Sequence, residues 1–167
     1  VAMYLDHNAT SPMSARVRDA VLAAMEHAWA NPSSPHMLGQ DALTTVEKSR
    51  VAVASALDVP AKWVFFTSGA TEGNAWVLAN SQHPVVASAV EHPSVLAWAN
   101  ERIGVDGQGR IDLDALEARL HSGPALVSVM AANNETGVIQ PIAEVADLCA
   151  QHGAQFHCDA TQIFGRF

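Results

Sequence analysis

Three short apolar runs, at residues 63–66, 84–89 and 125–130, with a further strand-like segment at 155–158, constrain this 167-residue chain more than any other feature. The first three each pass into small or polar residues and then into apolar positions at helical spacing. Runs of that length bounded in that way read as buried strands. Strands separated by helices require right-handed crossovers and parallel pairing. The expected fold is therefore α/β, a mostly parallel sheet with helices on both faces.

The first junction carries the most chemistry. Trp63-Val64-Phe65-Phe66 leads through Thr67-Ser68-Gly69-Ala70-Thr71-Glu72 into a helix bearing Ala75, Trp76, Leu78 and Ala79. Residues 68–71 have almost no side-chain bulk, so a ligand can reach the backbone. The first free N–H groups of a helix point outward there with the positive end of its dipole, which suits a phosphate. No Lys follows, as the phosphate loop of a nucleoside triphosphatase requires. A plain strand-to-helix turn has the same composition.

Ahead of this junction, Val17, Ala20, Val21, Ala24, Met25 and Ala28 repeat at helical spacing, predicting a helix over residues 14–29 with Ser11 or Ser14 as its cap and an apolar face packed in the core. Asn31-Pro32-Ser33-Ser34-Pro35 ends it, and a second helix with Leu43, Val46, Val53 and Leu57 runs to Asp58-Val59-Pro60. After the second strand, Val90-Glu91-His92-Pro93 opens a helix over residues 94–102, and the glycines at 104–109 mark a surface turn. Asp112 caps a short helix through Leu113, Leu116 and Leu120, and a last helix covers residues 142–152.

Composition removes several function classes. A hydrophobic content of 49% supports one domain with a core. A formal charge of -8, with nine Lys plus Arg and no basic run, disfavours nucleic acid and anionic membranes as partners. No apolar run reaches the length of a bilayer span and the first residues lack a leader pattern, so a cytoplasmic protein is expected. Cys149 and Cys158 have no disulfide or metal spacing and read as small hydrophobes. The eight histidines do not pair on one helix face, so no metal is expected.

In open α/β sheets, ligands bind outside the carboxyl ends of the strands. Past the four segments come Ser68 to Thr71, Glu91 and His92, Asn133 and Asn134, and Asp159 to Gln162. Taken singly, His92 caps a helix, the asparagines hold a turn and Asp159 caps another. Taken together they suit a phosphorylated aromatic heterocycle with a basic ring nitrogen. The helix start takes the phosphate, His92 stacks on the ring, Asn134 and Gln162 bond a ring hydroxyl, and Asp159 holds the protonated nitrogen. Pyridoxal 5'-phosphate has all four features.

The chain also resembles the N-terminal part of a cysteine desulfurase, in the class V aminotransferase branch of the fold type I pyridoxal-phosphate enzymes. The resemblance rests on Tyr4-Leu5-Asp6-His7-Asn8-Ala9-Thr10-Ser11-Pro12, Asn31-Pro32-Ser33-Ser34 with His36 and Gly39, Phe66-Thr67-Ser68-Gly69-Ala70-Thr71-Glu72, Glu91-His92, Asn133-Asn134-Glu135-Thr136-Gly137 and His157-Cys158-Asp159-Ala160-Thr161-Gln162, in family order. It implies that Ala70 and Thr71 bind the cofactor phosphate, and that His92 stacks on the pyridine and moves protons. It further implies that Asn134 and Gln162 contact the cofactor hydroxyl or the substrate carboxylate, and that Asp159 holds the ring nitrogen. The implied reaction is that of a transferase taking L-cysteine to L-alanine. Its sulfur passes as a persulfide to acceptors such as an iron–sulfur scaffold protein, in a homodimer.

By the same resemblance, residues 1–13 form an arm that joins the small domain. Residues 14–167 form the first portion of the large cofactor-binding domain, incomplete at its C-terminus. The family's Schiff-base lysine, persulfide cysteine and carboxylate-gripping arginine lie further along than Phe167, and Lys48 and Lys62 do not match the lysine's context. The chain alone is therefore expected to be inactive and to need the remainder of the enzyme or a complementing chain. Ala75 stands where the family more often has Asn or Asp. Two alternatives stay open: a related class V enzyme such as selenocysteine lyase, and a non-catalytic phosphate- or cofactor-binding half-domain that docks to a complete subunit.

Overall fold

The computed structural model describes residues 3–165. The chain divides into two compact units, one built from its beginning as far as Ala9 together with Thr67 onward, the other from Thr10–Phe66.

The 10–66 unit is helical. Helix α1 (Ala15–His27) starts at Ser14, whose hydroxyl accepts the Val17 N–H at 3.3 Å. The expected core face is absent. No residue of α1 is buried, and Val17, Val21 and Met25 are all exposed. The stripe has the right period, but this unit offers only one further helix and a 3-10 turn, with no sheet for the stripe to lie on. Helix α2 (Met37–Leu57) ends at Asp58, which adopts the left-handed conformation with φ 53°. It buries Gly39, Ala42 and Ala54, while the expected Leu43 and Leu57 stay exposed. Its contacts run through small residues because the turn before it presses close. A Cβ on Gly39 would stand 2.8 Å from the Asn31 carbonyl oxygen and closer still to that of Ser34.

Residues 63–66 do not form the predicted buried strand. Ala61–Trp63 is a 3-10 turn, and of the four residues only Val64 is buried. The backbone finds partners elsewhere. Arg50 Nη1 donates to the Val64 carbonyl, and the Arg50 guanidinium lies over the Phe66 ring at 5.0 Å. A side chain thus satisfies the carbonyl that a neighbouring strand would have taken.

The other unit holds the sheet. Its strands are β1 (Val85–Ser88), β2 (Glu101–Ile103), β3 (Leu126–Ser128) and β4 (Gln155–His157), in the order β2-β1-β3-β4. Every pairing is parallel, with Val86 opposite Glu101 and Val127, and Val127 opposite Phe156. Around it run α3 (Ala70–Ala79), α4 (Pro93–Leu96), α5 (Leu113–Leu120) and α6 (Ile142–Gln151). Alternate strand residues feed two cores, as a sheet covered on both faces requires. Val86, Val127 and Val129 pack with Leu116, Leu120, Val145 and Cys149 on one side. Val85, Ala87 and Leu126 pack with Leu78 and Val95 on the other.

One strand here was expected to be helix. The segment read as a helix over 94–102 is a single turn, α4, followed by the edge strand β2. Asn100 makes the switch: its N–H donates to the Val85 carbonyl and its Oδ1 accepts the Val85 N–H at 2.8 Å, which docks the chain beside β1. Glu101 and Arg102 are exposed, as suits an edge, and Ile103 is buried. The cap predicted for α5 is present, with Asp112 Oδ1 accepting the Ala115 N–H at 2.9 Å. No described helix is long and apolar enough to cross a membrane.

Strand order reverses between β1 and β3, because β2 lies to one side of β1 while β3 and β4 lie to the other. Such a switch point leaves a crevice at the carboxyl ends of the strands.

Candidate functional site

A cleft of about 750 Å³ opens at that crevice, lined by residues that follow β1, β3 and β4, by the start of α3, and by the loop containing Asp6 and Asn8. Ala70, Thr71, His92, Asn134, Asp159 and Gln162, scattered through the sequence, all line it.

Helix α3 starts at Gly69, which supplies no side-chain cap. Ser68 instead turns its N–H and hydroxyl onto Glu72 Oε2, at 2.7 and 2.5 Å. These bonds hold the Glu72 carboxyl below its usual range. They also keep that carboxylate engaged one residue before the cap, and the Ala70 and Thr71 N–H groups belong to the first turn, where helix geometry gives no internal acceptor. The helix start therefore offers donors suited to an anion, with small residues in front of them.

Asp159 follows β4. Its Oδ1 accepts the Thr161 N–H and hydroxyl at 3.0 and 2.6 Å, and its Oδ2 accepts from Asn74 Nδ2 at 2.8 Å. Burial raises its pKa, but the bonds from Thr161 and Asn74 and the nearby His157 outweigh it and hold the carboxyl below the ordinary range. Asp159 is therefore an ionised, oriented carboxylate on the cleft wall.

Asn74 is the residue that sequence reasoning passed over. It lies four residues after Ala70 on α3, is buried, and also donates to Ser94 Oγ at 3.0 Å. A lone amide inside an otherwise apolar helix stretch was the available signal, because Asn is a poor helix former unless its side chain has partners.

His92 is the N-cap of α4, its Nδ1 accepting the Ser94 N–H at 3.1 Å, so the plain capping reading holds for one ring nitrogen. The same Nδ1 is 2.8 Å from Ser94 Oγ. Because Nδ1 accepts the Ser94 N–H, it carries no proton of its own in the neutral ring, which places the proton on Nε2 and lets the Ser94 hydroxyl donate to Nδ1 as well. Asp159, Asn74, Ser94 and His92 thus form one hydrogen-bonded chain.

The two asparagines divide their work. Asn133 holds the turn: its Oδ1 accepts from the Glu135 and Thr136 N–H groups at 2.9 Å, and its Nδ2 donates to the Val90 carbonyl. Asn134 faces the cleft, and its carbonyl accepts from Asn8 Nδ2 at 2.7 Å. Gln162 Nε2 donates to the Asn8 main-chain carbonyl at 3.2 Å, so one loop residue joins the Asn134 backbone to the Gln162 side chain.

Beneath the rim lies Glu91, which sequence reading placed there without a role. It is 5% exposed; Oε1 accepts the Met130 N–H at 2.6 Å, and Oε2 has no hydrogen-bond partner among the described residues. Burial pushes its carboxyl up to about 8, with the Met130 bond acting the other way and the Asp159 charge adding to the rise. The two neighbouring carboxyls are thereby separated, Glu91 protonated near neutrality and Asp159 ionised. Neither cysteine is poised as a thiolate near neutral pH. Burial pushes both thiols up to about 11, and the charges of Glu91 and Asp159 add to this at Cys158.

These donors fit pyridoxal 5'-phosphate: free amides at a helix start, an ionised carboxylate, an exposed imidazole and two amides, all on one cleft.

The aminotransferase class-V family profile matches residues 3–167. The mitochondrial cysteine desulfurase of Saccharomyces cerevisiae is 38% identical over 98% of the chain, which covers 36% of that protein. The cysteine desulfurase of Klebsiella pneumoniae is also 38% identical over 98% of the chain, covering 45% of that protein. Among solved structures, the NifS-like protein of Rickettsia africae superposes with a TM-score of 0.91 at 37% identity, over 98% of this chain and 49% of that one. The chain thus spans half or less of the length of these relatives.

Proposed function

This chain belongs to the aminotransferase class-V family, and we propose that it is the cofactor-binding portion of a pyridoxal 5'-phosphate-dependent cysteine desulfurase. The observation that carries this reading is the bond from Asn74 to Asp159. It ties the carboxylate to the helix whose first turn offers the anion site, so the separation between the two is built into one helix.

In this reading, the Ala70 and Thr71 N–H groups hold the cofactor phosphate. Asp159 keeps the ring nitrogen protonated, and Thr161 and Asn74 keep Asp159 ionised. When bound, the cofactor draws electrons from the substrate carbon through that protonated nitrogen. His92 would lie against the cofactor ring, oriented by Ser94, with Nε2 placed to hold or pass a proton. Asn134 and Gln162 bind the cofactor hydroxyl or the substrate carboxylate. The substrate is L-cysteine and the product L-alanine, and the sulfur goes to a thiol other than Cys149 or Cys158. From there it passes to an acceptor such as an iron–sulfur scaffold protein. A homodimeric, cytoplasmic enzyme, with residues 1–13 in a small domain and 14–167 in the large one, belongs to the same reading.

The test uses the full-length polypeptide, cofactor-loaded, with sulfide release from L-cysteine followed in the presence of a thiol reductant. Asp159→Ala should lower turnover by on the order of a hundredfold or more, as loss of a preorganised electrostatic partner does. Near-normal turnover would remove Asp159 from its role. Preference for selenocysteine over cysteine would assign the chain to the lyase relatives instead.

A further inference from the structure

Away from the cleft, α5 and α6 run back against the parallel strands, so their C-termini gather at the amino edge of the sheet. There Glu117 and His121, four residues apart and so on one face of α5, meet His152, the residue that caps α6. One ligand atom from each lies within 4.8 Å of the other two. His152 Nε2 is 3.9 Å from Glu117 Oε1, and the His121 and His152 rings meet edge to face with centroids 4.6 Å apart.

The geometry points to a binding site for a divalent transition-metal ion, held by His121, His152 and Glu117, that clamps the ends of α5 and α6 together. Two imidazoles and one carboxylate suit zinc, nickel or copper(II) rather than magnesium or calcium, which prefer oxygen donors throughout. With metal–ligand distances of about 2.0–2.2 Å, two ligands on one tetrahedral ion stand roughly 3.4 Å apart. The donors therefore close by about an ångström on binding. His121 can supply that movement, since it is exposed at the C-cap of α5. Three protein ligands leave a fourth position for water.

Two further features favour a cation here. Both helices end at this point, and helix C-termini carry the negative end of the dipole. Arg119, the basic residue of α5's last turn, is already engaged by Glu101 at 2.7 Å. The frame is also rigid, because Leu116, Leu120, Val145 and Cys149 fix α5 and α6 in one core. Sequence spacing could not reveal the cluster, since 31 residues separate its two histidines in the numbering, His121 to His152.

The experiment strips the full-length, cofactor-loaded protein of metal and titrates Zn²⁺ against a chromophoric chelator, with Co²⁺ as the spectroscopic probe. The wild type should bind one equivalent that His121→Ala and His152→Ala each weaken at least tenfold, and Glu117→Gln by less. Co²⁺ should give visible d–d bands without thiolate charge transfer. Thermal midpoints should rise with Zn²⁺ in the wild type and not in the histidine variants, while cysteine turnover in metal-free buffer stays the same in all. Should His152→Ala fail to fold, His121→Ala, at an exposed position, decides alone. Equal affinity in wild type and variants, thiolate bands, or no bound equivalent in the wild type would each overturn the site.

Discussion

Two apolar helices behave in opposite ways. In α5, Leu116 and Leu120 disappear into the core beside Val127 and Val145; in α1, Val17, Val21 and Met25 follow an equally good helical period and remain exposed. The difference is not in the helices. The strands under α5 supply a second layer, whereas no described residue buries the stripe of α1. Periodicity reports which side of a helix is apolar, and only the neighbouring element decides whether that side leaves water.

The largest expected effect lies on the covered side. Leu116 is fully buried, so Leu116→Ala in the full-length protein should cost about 2–5 kcal/mol in chemical denaturation, from lost transfer energy and an unfilled cavity. A loss under about 1 kcal/mol would mean that the site collapses easily and the core is looser than its packing suggests.

The next prediction concerns Glu91, buried beneath the rim of the cleft. Its folded pKa, about 8, lies above the ordinary 4.5, so the folded state retains a proton that the unfolded chain releases. The stability this provides is fully present below 4.5 and is lost as pH rises through about 8. Glu91→Gln cannot titrate. It should match the wild type near pH 4 and exceed it by on the order of 5 kcal/mol above pH 8, read from urea denaturation. Parallel pH profiles for the two proteins would contradict the assignment.

Asn74→Ala should cost about 1–3 kcal/mol and raise the Asp159 pKa, because a half-buried carboxylate loses its partner. Cofactor retention should then weaken as pH falls, at a higher pH than in the wild type; an unchanged pH profile would reduce Asn74 to a packing residue. At the small end, Met25→Ala in α1 should change stability by less than about 0.5 kcal/mol, as at exposed positions generally. A loss comparable to that of Leu116→Ala would break the contrast and show that the stripe is covered in the full-length protein.

The same contrast explains what could be read in advance. The segments at 84–89, 125–130 and 155–158 hold β1, β3 and β4, and the caps at Ser14 and Asp112 are where local chemistry requires them. The rim was legible because ligand chemistry selects residue types, and parallel topology brings the residues after each strand to one edge. Residues 63–66 misled because an apolar run has no strand partner written into it. Residues 101–103 were missed for the converse reason: Glu101 and Arg102 show no alternation, and the strand exists because Asn100 pairs with Val85. Asn74 escaped notice because its partners, Ser94 and Asp159, are 20 and 85 residues away.

The loop residue Asn8 reaches Asn134 and Gln162 across 126 and 154 positions of chain. During synthesis from the N-terminus the residues of the α3 helix start emerge together, but Leu78 packs against Val85 and Leu126, so the helix waits for β1 and β3. The wall that faces it waits until residue 162 has emerged, and closing so long a loop costs only slightly more entropy than closing one of half the length. Order of appearance therefore sets when the cleft becomes whole: the helix start gains its core once β3 has been made, and the wall facing it only once residue 162 has emerged.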